Sequence, residues 1–334
     1  MPATSTDTSI DTLERSANYE GGEISPESLR ADLKRRLGAT AAAVDMLGRL
    51  MDDNRGLRSE LVDEQRVSDE FAAHVVGDAP DQDPRAWSSG VRKMVGYAPG
   101  QASMAVSERS IDSWLKQIHQ SLSGRIEKMR QRVDPYSDRA RALDATLENL
   151  VAAAAEATRN RELALHVAKQ LAALALQQEA AEQGAQRRAA ALVRHARQAE
   201  TFSLAATAYS DVATCVRSLA EAMRQIIQRI QTHETTAERD LARARSAILG
   251  VDWSVTVHER RPATTAALES LQVAVRGAAD FVGDTQILAR QGLARWTQLR
   301  ADAAARVTEL QTRLLAPFEN DAVAAARHTV TTSP

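Results

Sequence analysis

The chain has 334 residues, with 42 Lys and Arg against 44 Asp and Glu, one cysteine, and only 4% aromatics within a 44% hydrophobic content. Balanced charge excludes the basic excess of a dedicated nucleic-acid binder. The lone Cys215 excludes an internal disulfide, and no run of about 18 apolar residues marks a transmembrane helix. Much of the apolar content is alanine, which buries little area, so the expected core is thin, of the kind found between closely packed helices.

The first residues, MPATSTDTSIDTLERSANYEGGE, are polar and acidic, without the basic and apolar regions of a signal peptide. Residues 1–24 are expected to form a flexible arm. Ser25-Pro26-Glu27 reads as a helix start: a capping serine, proline at the first helical position, then an acid. Leu29, Leu33, Leu37, Val44, Leu47, Met51 and Leu61 follow at helical spacing, predicting a helix to about Val76 that bends at Gly48 or Gly56.

Residues 77–102 hold three prolines and four glycines, which exclude a regular helix. This irregular connection carries Trp87, Met94, Val95 and Tyr97 beside Arg92 and Lys93. Ile111, Leu115, Ile118, Leu122, Ile126, Met129 and Val133 then share one helical face, and Asp134-Pro135 ends that helix and starts the next.

Between Pro135 and Pro262 no proline occurs, and only Gly184 interrupts until Gly250. Leu143, Leu147, Leu150, Ala154, Ala157, Ala164, Ala168, Leu171 and Ala175 alternate steps of three and four, with Arg161 filling one position. A second series runs through Phe202, Ala205, Tyr209, Val212, Val216, Leu219, Met223, Ile226, Ile230, His233 and Ala237. The two lose phase between Ala196 and Ala205. One unbroken rod would reach roughly 170 Å at 1.5 Å per residue, so an antiparallel hairpin near Gly184 is expected. The last helix is predicted after Arg260-Arg261-Pro262, with Leu268, Leu271, Val275, Ala278, Val282, Ala289, Leu293, Trp296, Ala303, Val307, Leu310 and Leu314 on its seam. It stops at Pro317, and 318–334 is expected to be a loose tail.

One segment breaks the helical rule. Val251, Trp253, Val255 and Val257 alternate with Asp252, Ser254, Thr256 and His258, the signature of a strand. Three readings follow: an irregular loop in which Trp253 plugs the bundle end, a small ribbon paired with Lys93–Tyr97 or a second subunit, or a tongue facing a partner or membrane. Trp253, Val255, Val257, Trp87 and Tyr97 are therefore the candidate partner or membrane contacts.

Enzyme signatures are absent from the sequence: no phosphate-binding glycine loop, no nucleophile elbow, no Cys-x-x-Cys. Glu162 and His166 lie four apart, but carboxylate-bridged metal sites in bundles need Glu-x-x-His on two helices, so a surface pair is the expectation. His233 falls in an apolar register and reads as a buried, hydrogen-bonded side chain. Cys215, beside Val212 and Val216, reads as a structural thiol. Arg187, Arg194 and Arg197 share a helix face, with Arg188 and His195 nearby. They are the candidate anion contacts, for phosphate or anionic lipid, against the alternative of a solvated face paired with acids.

The segment Val251–Val257, set among long helices, resembles the small tongue of the helical pore-forming toxins, although the chain lacks their apolar membrane-inserting stretch. Leu268-Glu-Ser-Leu-Gln272 is similar to the opening of a helix in the bacterial toxic-anion (tellurite) resistance proteins. These likenesses cover a small part of the chain and assign no family. The reading is an all-α, elongated bundle of about five long helices over 25–317, with coiled-coil-like packing and a small hairpin or strand near 251–257. The expected function is that of a non-enzymatic scaffold without cofactor. It would self-associate or bind another helical protein through long helical surfaces, and a membrane surface is the alternative partner. The expected location is cytoplasmic, or secreted by a signal-independent route.

Overall fold

A computed structural model describes residues 12, 19, 22, 24–73, 108–177, 182–252, 254, 255 and 257–315. Among them the protein is all-α, without a strand. Its helices are α1 (Pro26–Gly38), α2 (Ala41–Phe71), α3 (Glu108–Arg130), α4 (Val133–Gln177), α5 (Glu182–Leu249) and α6 (Val257–Leu315).

α1 starts where the sequence predicts. Ser25 is its N-cap, Pro26 follows in the first turn, and Ser25 and Ser28 accept each other's backbone N–H at 3.1 Å. That box satisfies two donors the first turn leaves open. The predicted single helix to Val76 is divided, but not at Gly48 or Gly56, which both lie inside α2. The break falls at Ala39–Thr40, after Gly38, where the Thr40 hydroxyl donates to Leu37 O at 2.6 Å and its side chain is buried. Helix propensity explains the difference: an interior glycine costs a helix only about 1 kcal/mol, which α2 recovers by burying Leu47, Leu50, Leu61 and Phe71.

The α3–α4 break is a turn at Gln131–Arg132. Pro135 is then the third residue of α4, inside the first turn, where its missing N–H is harmless. The predicted antiparallel pairing is present, with α4 ending at Gln177, α5 beginning at Glu182 and Gly184 inside α5. Val167 and Leu171 pack on Ala191, Ala164 packs on Ala199 and Phe202, and Arg188 donates to Leu174 O. Numbers rise on α4 as they fall on α5, so the two run antiparallel. On α4 the seam position assigned to Arg161 belongs instead to Asn160, which is buried while Arg161 is exposed. A step of three from Ala157 followed by one of four fits the seam as well as the reverse.

The chain forms two compact units. Residues 1–42, 142–219 and 294–334 make one. In it α5 lies antiparallel to α4, takes α1 through a Tyr209–Asp32 hydrogen bond of 3.0 Å, and takes the end of α6 through an Arg306–Asp211 pair of 2.8 Å. Residues 43–141 and 220–293 make the other, a four-helix bundle. Its neighbours close in a ring: α2 to α3 (Glu64–Arg125, 2.9 Å), α3 to α5 (Arg130–Glu234, 3.2 Å), α5 to α6 (His233–Phe281 rings, 4.1 Å apart) and α6 back to α2 (Asn54–Thr285, 2.9 Å). Each pair is antiparallel, the packing expected of short-period apolar seams.

α5 is the most enclosed helix. Of the predicted series, Phe202, Ala205, Val212, Val216, Leu219, Met223 and Ile226 are at most 1% exposed, Tyr209, Ile230 and Ala237 are buried, and His233 is half-buried; Ala208, Cys215 and Ala220 on the adjoining face are buried too. At Gly292 of α6 a Cβ would stand 2.5 Å from Ala222 Cβ of α5. Only glycine permits that spacing without moving backbone. Gly292→Ala is therefore expected to lower stability by about 1–3 kcal/mol in urea titrations, and Ala222→Gly in the same chain is expected to restore most of it. Equal stability of the single variant and wild type would show that the helices sit further apart.

Candidate functional site

Among its described residues the α5–α6 connection holds no strand. α5 closes with Gly250 N–H donating to Ser246 O and Val251 N–H to Ile248 O. Asp252 Oδ1 then accepts both Ser254 N–H, at 2.9 Å, and Ser254 Oγ–H, at 2.6 Å. Those bonds hold the Asp252 carboxyl below the usual carboxylate range. A short side chain so satisfies the backbone locally, as in an Asx turn, where a lone strand would have left it unpaired. Val251 is buried, Val255 half-buried, and Val257 is the first residue of α6. Alternation here reflects a turn bounded by two helices. Pro262 correspondingly lies within α6 rather than at its start. Trp253, Trp87 and Tyr97 lie outside the described residues.

The basic stretch on α5 divides by helix face. Arg187, Arg194 and Arg197 are exposed together, as their spacing predicts, while Arg188 and His195 face inward, each 3% exposed. His195 is the centre of a small aromatic socket. Its Nδ1 shares a 2.6 Å hydrogen bond with the Tyr19 hydroxyl, and the Tyr19 ring lies 5.0 Å from that of Phe202. Ala164, Ala199 and Phe202 form the floor, with Leu163 and Ile24 packed at its edge. Tyr19 is 7% exposed although it belongs to the polar N-terminal stretch. The sequence carried one signal for it: a single aromatic placed just before Gly21-Gly22.

A second polar contact holds α1 to α5. Asp32 accepts from Arg36 Nε at 2.6 Å, from Arg35, and from the Tyr209 hydroxyl, and the Arg36 guanidinium lies 5.3 Å from the Tyr209 ring centre. Burial pushes the Asp32 carboxyl up, but its hydrogen bonds from Arg36, Arg35 and Tyr209 outweigh this and hold it low. Burial, then the Asp32 charge, push the Tyr209 hydroxyl up to about 12. The phenol is thus a fixed donor rather than an acid-base group.

Between α2 and α3 two adjoining clefts of about 490 and 320 Å³ share Glu60 and Arg125. Trp114 and Ile118 floor the larger one. Of its three acids, Glu60 and Glu64 pair with Arg125, at 3.3 and 2.9 Å, and form an ion-pair staple across the two helices, while Asp63 faces Arg66 on α2.

The remaining candidates are dispersed. Glu162 and His166 are both exposed, and His166 Nε2 meets Gln170 at 2.9 Å. Among the described residues no group of three or more His, Cys, Asp or Glu could hold a metal ion, and no helix is long and apolar enough to cross a membrane. His233 lies in the apolar register, stacked on Phe281 with 10° between the ring planes. Burial, then the Arg229 charge, pull its imidazole down to about 4. Cys215 is fully buried, and burial, then Asp211, push its thiol up to about 11. No protein-family model, curated protein or solved structure matches the chain. The fold and these contacts define an all-α helical-bundle protein.

Two measurements test the buried titrating groups. Because the His233 imidazole titrates near 4 when folded and near 6.5 otherwise, protons favour the unfolded chain. The stability this residue contributes is whole above pH 6.5 and is lost as pH falls toward 4. Between pH 7.5 and 4.5 the loss is expected to be about 2–3 kcal/mol, read as the extra acid sensitivity of wild type over His233→Phe in urea titrations. Identical pH profiles would place His233 in water. For Cys215, labelling by a thiol reagent at pH 8 is expected to be at least about a hundredfold slower in the native protein than in the denatured chain, and equal rates would contradict its burial.

Proposed function

We propose that this protein is a non-enzymatic scaffold that docks helical partners, a second copy or another helical protein, against its outer helix faces. One observation carries the reading. On α4, Val151 and Leu165 are 49% and 37% exposed, two heptads apart. Ala155, Thr158 and Glu162, all outside the buried seam, complete steps of four, three, four and three between them. Single exposed apolar residues are ordinary, but a regular spacing is what a facing helix needs in order to seat its own side chains. α6 repeats the pattern with Val273 and Ile287, 54% and 52% exposed and again fourteen residues apart.

The energy involved is modest. Covering such a half-exposed side chain contributes about 1 kcal/mol, so a useful contact needs several along one helix, as a long helix offers.

Sedimentation of the full chain over a concentration series tests this reading. Wild type is expected to assemble beyond its 36.3 kDa mass, and Val151→Asp with Leu165→Asp to weaken assembly at least about tenfold, two inserted charges each costing more than about 1 kcal/mol in a covered face. Unchanged assembly in a variant with native circular dichroism would remove α4 as the docking face.

A further inference from the structure

The Tyr19 socket lies apart from those helix faces and points to a second mode of association. We propose that Tyr19 is an exchangeable clasp: its ring fills the socket on α4 and α5 of its own chain in the monomer, and the socket of a second copy in a dimer. Two identical contacts then form about a two-fold axis, the closed arrangement that exchanging one element produces.

Four observations support exchange. First, the clasp is a built contact between residues 176 apart in sequence, combining a buried hydrogen bond with an aromatic pair. Second, it depends on a tight turn. Gly22 N–H donates to Tyr19 O at 3.0 Å, and Gly22 has φ +83°, the one positive φ among the described residues. Such a turn favours glycine and opens when it is strained. Third, α1 is anchored independently of the clasp, through the Ser25 cap and the Asp32–Tyr209 bond, so the turn can open without releasing the helix. The six peptide steps from Tyr19 to Ser25 can then span at most about 20 Å. Fourth, an empty socket is unfavourable. It would uncover Phe202, 0% exposed, and take the Tyr19 hydroxyl from buried His195. A second copy's Tyr19 restores the hydrogen bond to His195 and the ring contact with Phe202.

Exchange also predicts which state dominates. In its own chain the short link presents Tyr19 at an effective concentration near the millimolar range, so at micromolar protein the closed clasp prevails over the exchanged one. Anything that strains the Gly22 turn weakens only that intramolecular arrangement, because the opened turn of the dimer no longer needs φ +83°.

Gly22→Val provides the test, since a Cβ at Gly22 meets no atom within 4 Å and acts only through the backbone. In the full-length chain, sedimentation is expected to show a dimerisation midpoint roughly tenfold lower for Gly22→Val than for wild type. The shift is expected to vanish when Tyr19→Ala is added, circular dichroism remaining native throughout. A midpoint unmoved by Gly22→Val overturns the proposal, as does a shift that persists in the double variant. The helix-face reading fails separately, through Val151→Asp and Leu165→Asp, which leave the clasp intact.

Discussion

Everything described here depends on how α5 is covered. It is the longest helix, 68 residues, and from Phe202 to Ile230 it buries both of its apolar stripes instead of one. A surface helix leaves half its circumference in water, whereas this one has partners on adjoining faces within each unit. Small side chains make that geometry workable. Ala205, Ala208, Ala213, Ala220 and Ala222 let neighbouring backbones come close, and at Gly292 there is no room for a Cβ beside Ala222. Close approach replaces the bulky core that a chain with 4% aromatics cannot build, since dispersion summed over many short contacts rewards tight packing.

The polar groups inside this packing act as register pins. Asn54 donates to Thr285, whose hydroxyl meets Phe281 O at 2.9 Å. Asp32 gathers Arg35, Arg36 and Tyr209. His195 receives Tyr19, and His233 stacks on Phe281. Alanine-rich seams are nearly degenerate to sliding, because one small residue replaces another at little cost. A buried polar pair is not degenerate, since a slip of one turn leaves both members unpaired. Such pairs specify alignment more than they add stability.

The long-helix architecture was legible because it rests on absences and periods. Freedom from proline between Pro135 and Pro262, with three-four spacing on each side, predicted α4, α5 and their antiparallel turn, and the buried series from Phe202 to Ala237 was read almost residue by residue. Errors clustered where tertiary partners decide. The helix over Leu29 to Leu61 was read as one, yet it is divided at Ala39–Thr40, where no spacing marks a break. Val251–Val257 alternates like a strand, yet two valines in a turn satisfy the same pattern once Asp252 caps Ser254. Asn160 and Arg161 are equivalent by spacing, and only packing separates them. Contacts across long sequence separations leave no periodic trace. Tyr19 with His195 and Asp32 with Tyr209 join residues 176 and 177 apart, and no local pattern marks either pair.

Native-state hydrogen exchange, resolved by residue, tests the enclosure of α5 most directly. Amide exchange opens in cooperative units, and the slowest amides report the last structure to open. Amides from Phe202 to Ile230 are expected to be the slowest in the chain, exchanging only with global unfolding, while those of α1 exchange faster. Exchange of the α5 stretch as rapid as that of α1 would mean that α5 is not the enclosed helix around which the rest is packed.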